Sequence, residues 1–511
     1  ALNMARGKFD SLVSGHVKDY GHYENGSGNE VKSAFRAYDY SVKAGFEPDE
    51  HQRLQVKWHQ SAARDIWHVG LPMDTDTDDS YYFSANYRIE NLSPAFSYLQ
   101  FHGYASRVDH VMSNERRPNY MMVHAVANVK SETAGGKVES LLKLNETSLL
   151  YVGTDLYYLQ KFGDRDRLVF KNMMTGKDLP MPMNFTDNIW QDSYRLQSGL
   201  FSEYHTSFSD NLEFIAGMRV NHIRSDIRDI ADTFTQHYGE ISAQNDLTFN
   251  TTATLTYAPA ARWNFKLAAG RGVRAPNLSE RYINHLTIDQ DAYEYVGNPG
   301  LDPEANHQVD VSAEYRREKS SLKLNLFHSW ITNYITATVD TDIPRQYMAF
   351  KDPKFAKRFE NIDQAIQRGF EISGHIQPVG SLRFDGQLSY TWARNLDWDE
   401  PLPEIPPLEG RIGVNYWYPD SPFWVKASAR LVADQDRVSP SFNESETPGY
   451  TTVGLQTGYT FWETLELRAS VENLFDVTYY EHLSRSYSNM PEAQMFYEPG
   501  RTLSLQIRYR F

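Results

Sequence analysis

The chain has 511 residues, 14% of them aromatic, and no cysteine, while its mean hydropathy is polar at −0.59. No apolar run approaches the roughly 20 residues of a membrane helix, and a net charge of −15 argues against nucleic acid, which needs a basic footprint. The missing cysteines remove disulfides, thiolate metal sites and cysteine nucleophiles.

The chain opens ALNMARGKFD, with no basic-then-apolar leader, so an export signal is expected to be removed or to lie upstream. Residues 74–80, DTDTDDS, lack the glycine and distal glutamate of the helix-loop-helix calcium motif and are expected to form a solvated surface loop. The next predicted strand ends in SRVDHVMSN (106–114). Its even face carries Gln100, His102, Tyr104, Ser106, Val108, His110 and Met112; the odd face carries Leu99, Phe101, Gly103 and Ala105 before Arg107 and Asp109. Two residues apart on a strand is one face, so His110 and Met112 stand together near its end.

Region 113–136 is ambiguous, with room for another strand pair. NMMTGKDLPMPMN (172–184) sets Met173, Met174, Met181 and Met183 in a predicted loop, and Met348, Met490 and Met495 fall in or beside others. These methionines either capture Cu(I) transiently or, the plainer expectation, pack inward under folded loops.

From there strict alternation dominates. Leu382, Phe384, Leu388, Tyr390 and Trp392 face away from Arg383, Asp385, Gln387 and Ser389, and Leu503, Leu505, Ile507, Tyr509 and Phe511 from Ser504, Gln506, Arg508 and Arg510. Short connections at 258–261, 317–320, 377–380, 418–422 and 461–464 alternate with long ones at 225–248, 273–304, 339–358, 395–408, 435–448 and 475–497. Segregation of loop length by end is the pattern of a transmembrane antiparallel β-barrel, with short periplasmic turns and long extracellular loops. The expected fold is all-β, one such barrel over residues 1–511 with about 22 strands.

AAGRGVRAPNLSERY (268–282), GNPGLDPE (297–304), VENLFDVTYYEH (471–482) and the terminal RYRF resemble the barrel of a TonB-dependent outer-membrane receptor. The resemblance implies a 22-stranded barrel in the bacterial outer membrane, held by outer-membrane lipids and lipopolysaccharide. It further implies an N-terminal plug inside the barrel and energy from the TonB inner-membrane complex. The plug would precede Ala1, so the chain is read as the barrel portion alone.

The cargo is a separate question. Imidazole with thioether suits copper and suits hard ferric iron poorly. His110 and Met112 are similar to the His-x-Met element of TonB-dependent copper receptors, whose other ligands lie in the plug. Copper ion as cargo is therefore expected, with a half-site on this chain. The rival is haem: VRAP (273–276), His285 and NPGL (298–301) resemble the FRAP, histidine and NPNL order of haem receptors, although Val273 and Gly300 depart from it, and His285 would then be the iron ligand. A ferric-siderophore receptor or a passive channel are further alternatives. No nucleophile, base and orienting group are spaced for catalysis, so enzymatic activity is not expected.

Overall fold

The structure is a computed structural model that describes residues 2–172, 174–287, 292–347, 352–484 and 496–510. Its main sheet has 25 strands. Four of them, Asp178–Asn188, Leu286–Thr287, Glu294–Val296 and Glu400–Pro401, are pieces of loops. The other 21 form an antiparallel meander from Leu2–Arg6 to Thr502–Tyr509, in which each strand pairs with its neighbours in sequence. That count, taken among the described residues, agrees with the expected barrel of about 22 strands.

The connections follow the predicted segregation. Strands Gln244–Ala260 and Trp263–Arg274, Glu304–Arg317 and Ser320–Pro344, and Phe355–Val379 and Leu382–Asn395 are each joined by two residues. At the other end lie 228–243, 275–303, 396–408 and 433–449. Region 113–136 holds no extra strand pair: the Phe96–Ser113 strand passes through a 3-10 turn at Pro118–Met121 straight into the Val123–Lys143 strand. Among the described residues no helix is long and apolar enough to cross a membrane.

Alternation sets what each face meets. Leu322, Leu324 and Leu326 on one strand, and Leu503, Leu505 and Ile507 on the last, are all exposed on the outer face, where hydrocarbon replaces water. Most residues buried from all solvent sit elsewhere, in the outer strand ends and the loops above them, with Tyr98, Ser140, Ser148 and Thr206 buried at the short-turn end. Phe234 packs with Val296, Ile343 and Ala356, and Ile283 with Tyr295 and Ala337.

The family-like stretch 268–304 organises that loop core. Asn277 caps the short helix Leu278–Tyr282 through Oδ1, which accepts from Ser279 N at 2.8 Å and Glu280 N at 2.9 Å. The Glu280 carboxylate accepts in return from Asn277 N at 2.7 Å, completing a capping box. Buried Arg281 donates two hydrogen bonds to Asp246 at 3.0 Å each and one to the Leu301 carbonyl at 2.9 Å. Gly297 is required by closeness, since a Cβ there would stand 2.5 Å from Tyr282 N.

Candidate metal site on the barrel wall

The strand Asp74–Glu90 pairs with Phe96–Ser113, and its register is offset by an irregularity between Thr75 and Thr77. Below the offset Asp78 is opposite His110; above it Thr75 is opposite Met112. Directly opposed residues share a face. The other face carries Tyr81, Phe83 and Phe101, exposed as lipid-facing residues are, so His110, Met112, Asp78 and Thr75 face the lumen, as the parity of the sequence predicts. The meander places them at the end of the loops.

His110 Nδ1 lies 2.8 Å from Asp78 Oδ2. A carboxylate there fixes the Nδ1–H tautomer and turns the Nε2 lone pair outward, the arrangement that surrounds metal-ligating histidines. Nε2 lies 3.5 Å from Thr75 Oγ1. A second imidazole converges on the same oxygen: His68 Nε2 is 2.9 Å from Thr75 Oγ1. His68 is held from behind, with its N–H donating to Asp74 Oδ1 at 2.9 Å and its carbonyl accepting from Arg117 at 2.6 Å. Arg117 also binds Asp74, which is 1% exposed. Arg116 pairs with Asp65 and lies over the Trp67 ring at 5.4 Å. The loop carrying His68 is thus clamped onto the strand carrying Thr75.

DTDTDDS is therefore not the surface loop expected. It is the start of a strand whose carboxylates are engaged, Asp74 by Arg117, Asp78 by His110 and Asp79 by Arg64 at 2.8 Å. Among the described residues no group of three His, Cys, Asp or Glu side chains is placed to hold a metal.

The other candidates part company with this one. Met174, Met181 and Met183 are exposed, against the expectation of inward packing. Met183 stands on the Asp178–Asn188 strand, opposite Val169. Met173, Met348, Met490, Met495 and Phe511 lie outside the described residues. His285 is 7% exposed with φ +51°, and its Nδ1 lies 2.9 Å from the fully buried Glu294. Glu294 also accepts from the backbone N–H groups of Gln346 and Tyr347, both at 2.8 Å. The Tyr347 ring meets the His285 ring edge-on, and burial pushes its hydroxyl pKa up.

Residues 6–474 match the family described as TonB dependent receptor-like, beta-barrel. The chain belongs to that family. It is an outer-membrane barrel, and its relatives are named as receptors and transporters. The ferric enterobactin receptor PirA of Pseudomonas aeruginosa is 24% identical over 52% of this chain and 38% of its own length. The chain therefore spans well under two thirds of that relative. The heme transporter BhuA of Brucella abortus is 23% identical over 98% of this chain and 70% of its own length. Among solved structures, the copper transporter OprC superposes with a TM-score of 0.84 at 20% identity, covering 98% of this chain and 78% of that one. The FrpB iron transporter from Neisseria meningitidis superposes at 0.71 and 15% identity, covering 100% and 78%.

Proposed function

We propose that this barrel belongs to a TonB-dependent receptor that takes copper ion as its cargo, with His110 and Met112 as barrel-side ligands and His68 beside them. One observation carries the reading. The Asp78-locked imidazole of His110 and the imidazole of His68 both direct Nε2 to Thr75 Oγ1, and the register puts Met112 opposite that threonine. Two borderline nitrogen donors and a soft sulfur suit copper above hard cations. The name of the structural neighbour OprC, a copper transporter, supports the same reading.

A plug supplied by the rest of the protein completes the coordination, and the inner-membrane TonB complex drives release through it. Exposed Met174, Met181 and Met183, with Met173, serve transient capture at the mouth. Haem import is the competing reading, favoured by the name of the relative BhuA, with His285 as its ligand.

The test uses the full-length gene product in detergent, titrated with Cu(I) anaerobically and, separately, with haem. One tightly held copper per chain, lost in His110→Ala/Met112→Ala while the barrel keeps its heat-modifiable mobility, is the expected result. No copper binding, with a haem Soret shift that disappears in His285→Ala, would reverse the assignment. In planar bilayers, large steady currents from the same preparation would mark an open channel instead.

A further inference from the structure

The outer face of four neighbouring strands carries a row of basic side chains. On Ser320–Pro344, His328 continues the outward parity of Leu322, Leu324 and Leu326, and Arg368 stands opposite it on Phe355–Val379. On Trp263–Arg274, Arg271 continues the parity of exposed Phe265 and Leu267, and His307 stands opposite it on Glu304–Arg317. Trp330 is opposite His307, so His307 and His328 are diagonal neighbours and the row is continuous. It spans three gaps between strands, about 14 Å. All four residues lie eight to eleven residues from the short-turn ends of their strands. At about 3.3 Å per residue and a tilt near 45°, that is roughly 19–26 Å above the turns, the upper edge of the apolar band.

This row has no acidic counterpart. Between it and the turns, none of the outward positions on the four strands carries Asp or Glu. Arg271 donates to the Phe249 carbonyl, Arg368 lies over the Trp392 ring at 4.3 Å, and the His328 ring is 4.2 Å from that of Trp330; among the described residues no carboxylate lies within ion-pair distance of the four side chains. Elsewhere on the outer face the pattern differs. Arg107, at the outward parity of Phe101, is held by Asp109 at 2.8 Å and by Glu132 at 3.6 Å. A lipid-facing guanidinium with no carboxylate of its own draws its counter-charge from the lipid, and phosphate matches its fork of donors.

Beneath the row, toward the middle of the bilayer, the surface is hollowed. Gly386, opposite Ile412, and Gly410, opposite Leu388, floor a groove of about 890 Å³ walled by Ile372, Leu388, Ile412 and Leu431. A Cβ at Gly386 would meet nothing within 4 Å. Arg368 stands one outward step beyond Phe370 and two beyond Ile372 on the same strand, so the groove opens below the guanidinium.

We propose that Arg271, His307, His328 and Arg368 hold the phosphate of an outer-leaflet lipid, one of whose acyl chains lies in the groove at Gly386. The site faces away from the lumen and the plug, and it stands whichever cargo the barrel takes.

The test uses the full-length protein in detergent, followed by native mass spectrometry with a phosphorylated, multiply acylated glycolipid, with the same lipid dephosphorylated, and with inorganic phosphate. Wild type should bind the phosphorylated lipid about 10- to 100-fold more tightly than Arg271→Gln/Arg368→Gln does, the loss of charge-assisted hydrogen bonds. Removing the phosphate from the lipid should cost wild type a similar factor. Arg271→Lys/Arg368→Lys should keep most of the affinity, which separates charge from folding, and Arg107→Gln should keep all of it. Gly386→Leu, which fills the groove, should weaken both lipids alike. Equal binding by wild type and the double glutamine variant, or no preference for the phosphorylated lipid, overturns the phosphate site. Unchanged binding in Gly386→Leu overturns the groove as the seat of the chain, and tight binding of inorganic phosphate without lipid overturns the lipid as ligand.

Discussion

His110 and His285 have the same near neighbour and different surroundings. Each presents Nδ1 to a carboxylate, at 2.8 Å from Asp78 and 2.9 Å from Glu294. The His110 side chain is 27% exposed on the lumen wall, that of His285 9% exposed within the loops. Asp78 serves one imidazole and a serine hydroxyl, Ser80, at 3.2 Å. Glu294 gathers two backbone N–H groups and lies 3.6 Å from Arg345. The first pair orients a ring toward open space; the second ties two loops together through a ring in left-handed backbone, a conformation that costs a non-glycine residue energy. A carboxylate on a histidine is thus a sign of function only where the far nitrogen has somewhere to go.

The comparison breaks most sharply at Glu294. Glu294→Gln weakens the charge-assisted hydrogen bonds that the carboxylate makes with His285 and with the Gln346 and Tyr347 N–H groups, a loss of about 1.5–3 kcal/mol. Proteolysis of the 275–303 and 345–354 loops should rise steeply while copper affinity stays unchanged. Asp78→Asn should do the reverse. Copper affinity falls about 10- to 100-fold, as when the carboxylate behind a metal-bound histidine is removed, with loop protection intact in the same assay. Should Asp78→Asn leave copper affinity unmoved, the two histidines differ only in burial.

Smaller effects sharpen the loop side. Gly297→Ala forces a methyl against the Leu278–Tyr282 helix and should cost about 1–3 kcal/mol of loop stability, read by hydrogen exchange at 275–303. Another pair gives the loops a pH dependence. Burial of Glu444 works to raise its pKa, but hydrogen bonds from His482 and from the backbone N–H groups of Ser439 and Glu404 outweigh it and hold the carboxyl below its ordinary 4.5. Such a group stabilises the fold above its unfolded value and ceases to as pH falls through the lower folded one. Hydrogen exchange at 433–449 should quicken, beyond its intrinsic change, as pH falls below 4.5. Glu444→Gln should remove the step.

Barrel class, strand alternation and loop segregation were legible because a period of two and a difference in connection length survive any register. The lumen-facing parity of His110 and Met112 was legible for the same reason. His68 was not. It reaches Thr75 through the irregularity at Thr75/Thr77, and no spacing along the chain reveals a cross-strand offset. DTDTDDS read as solvated because four aspartates in seven residues lack local cations; Arg117, Arg64 and His110 come from other segments.

Two strands, Ser320–Pro344 and Phe355–Val379, run 25 residues each. At about 3.3 Å per residue they are roughly 80 Å long. Tilted near 45° through an apolar band about 25 Å tall, such a hairpin carries the barrel roughly 30 Å past that band on its loop side. Bilayer surface potentials decay over a Debye length of about 8 Å at physiological ionic strength. The rim of this hairpin therefore stands outside the field of the membrane's anionic headgroups, so an approaching solute is steered at that height by the charges of the loops and not by those of the lipid.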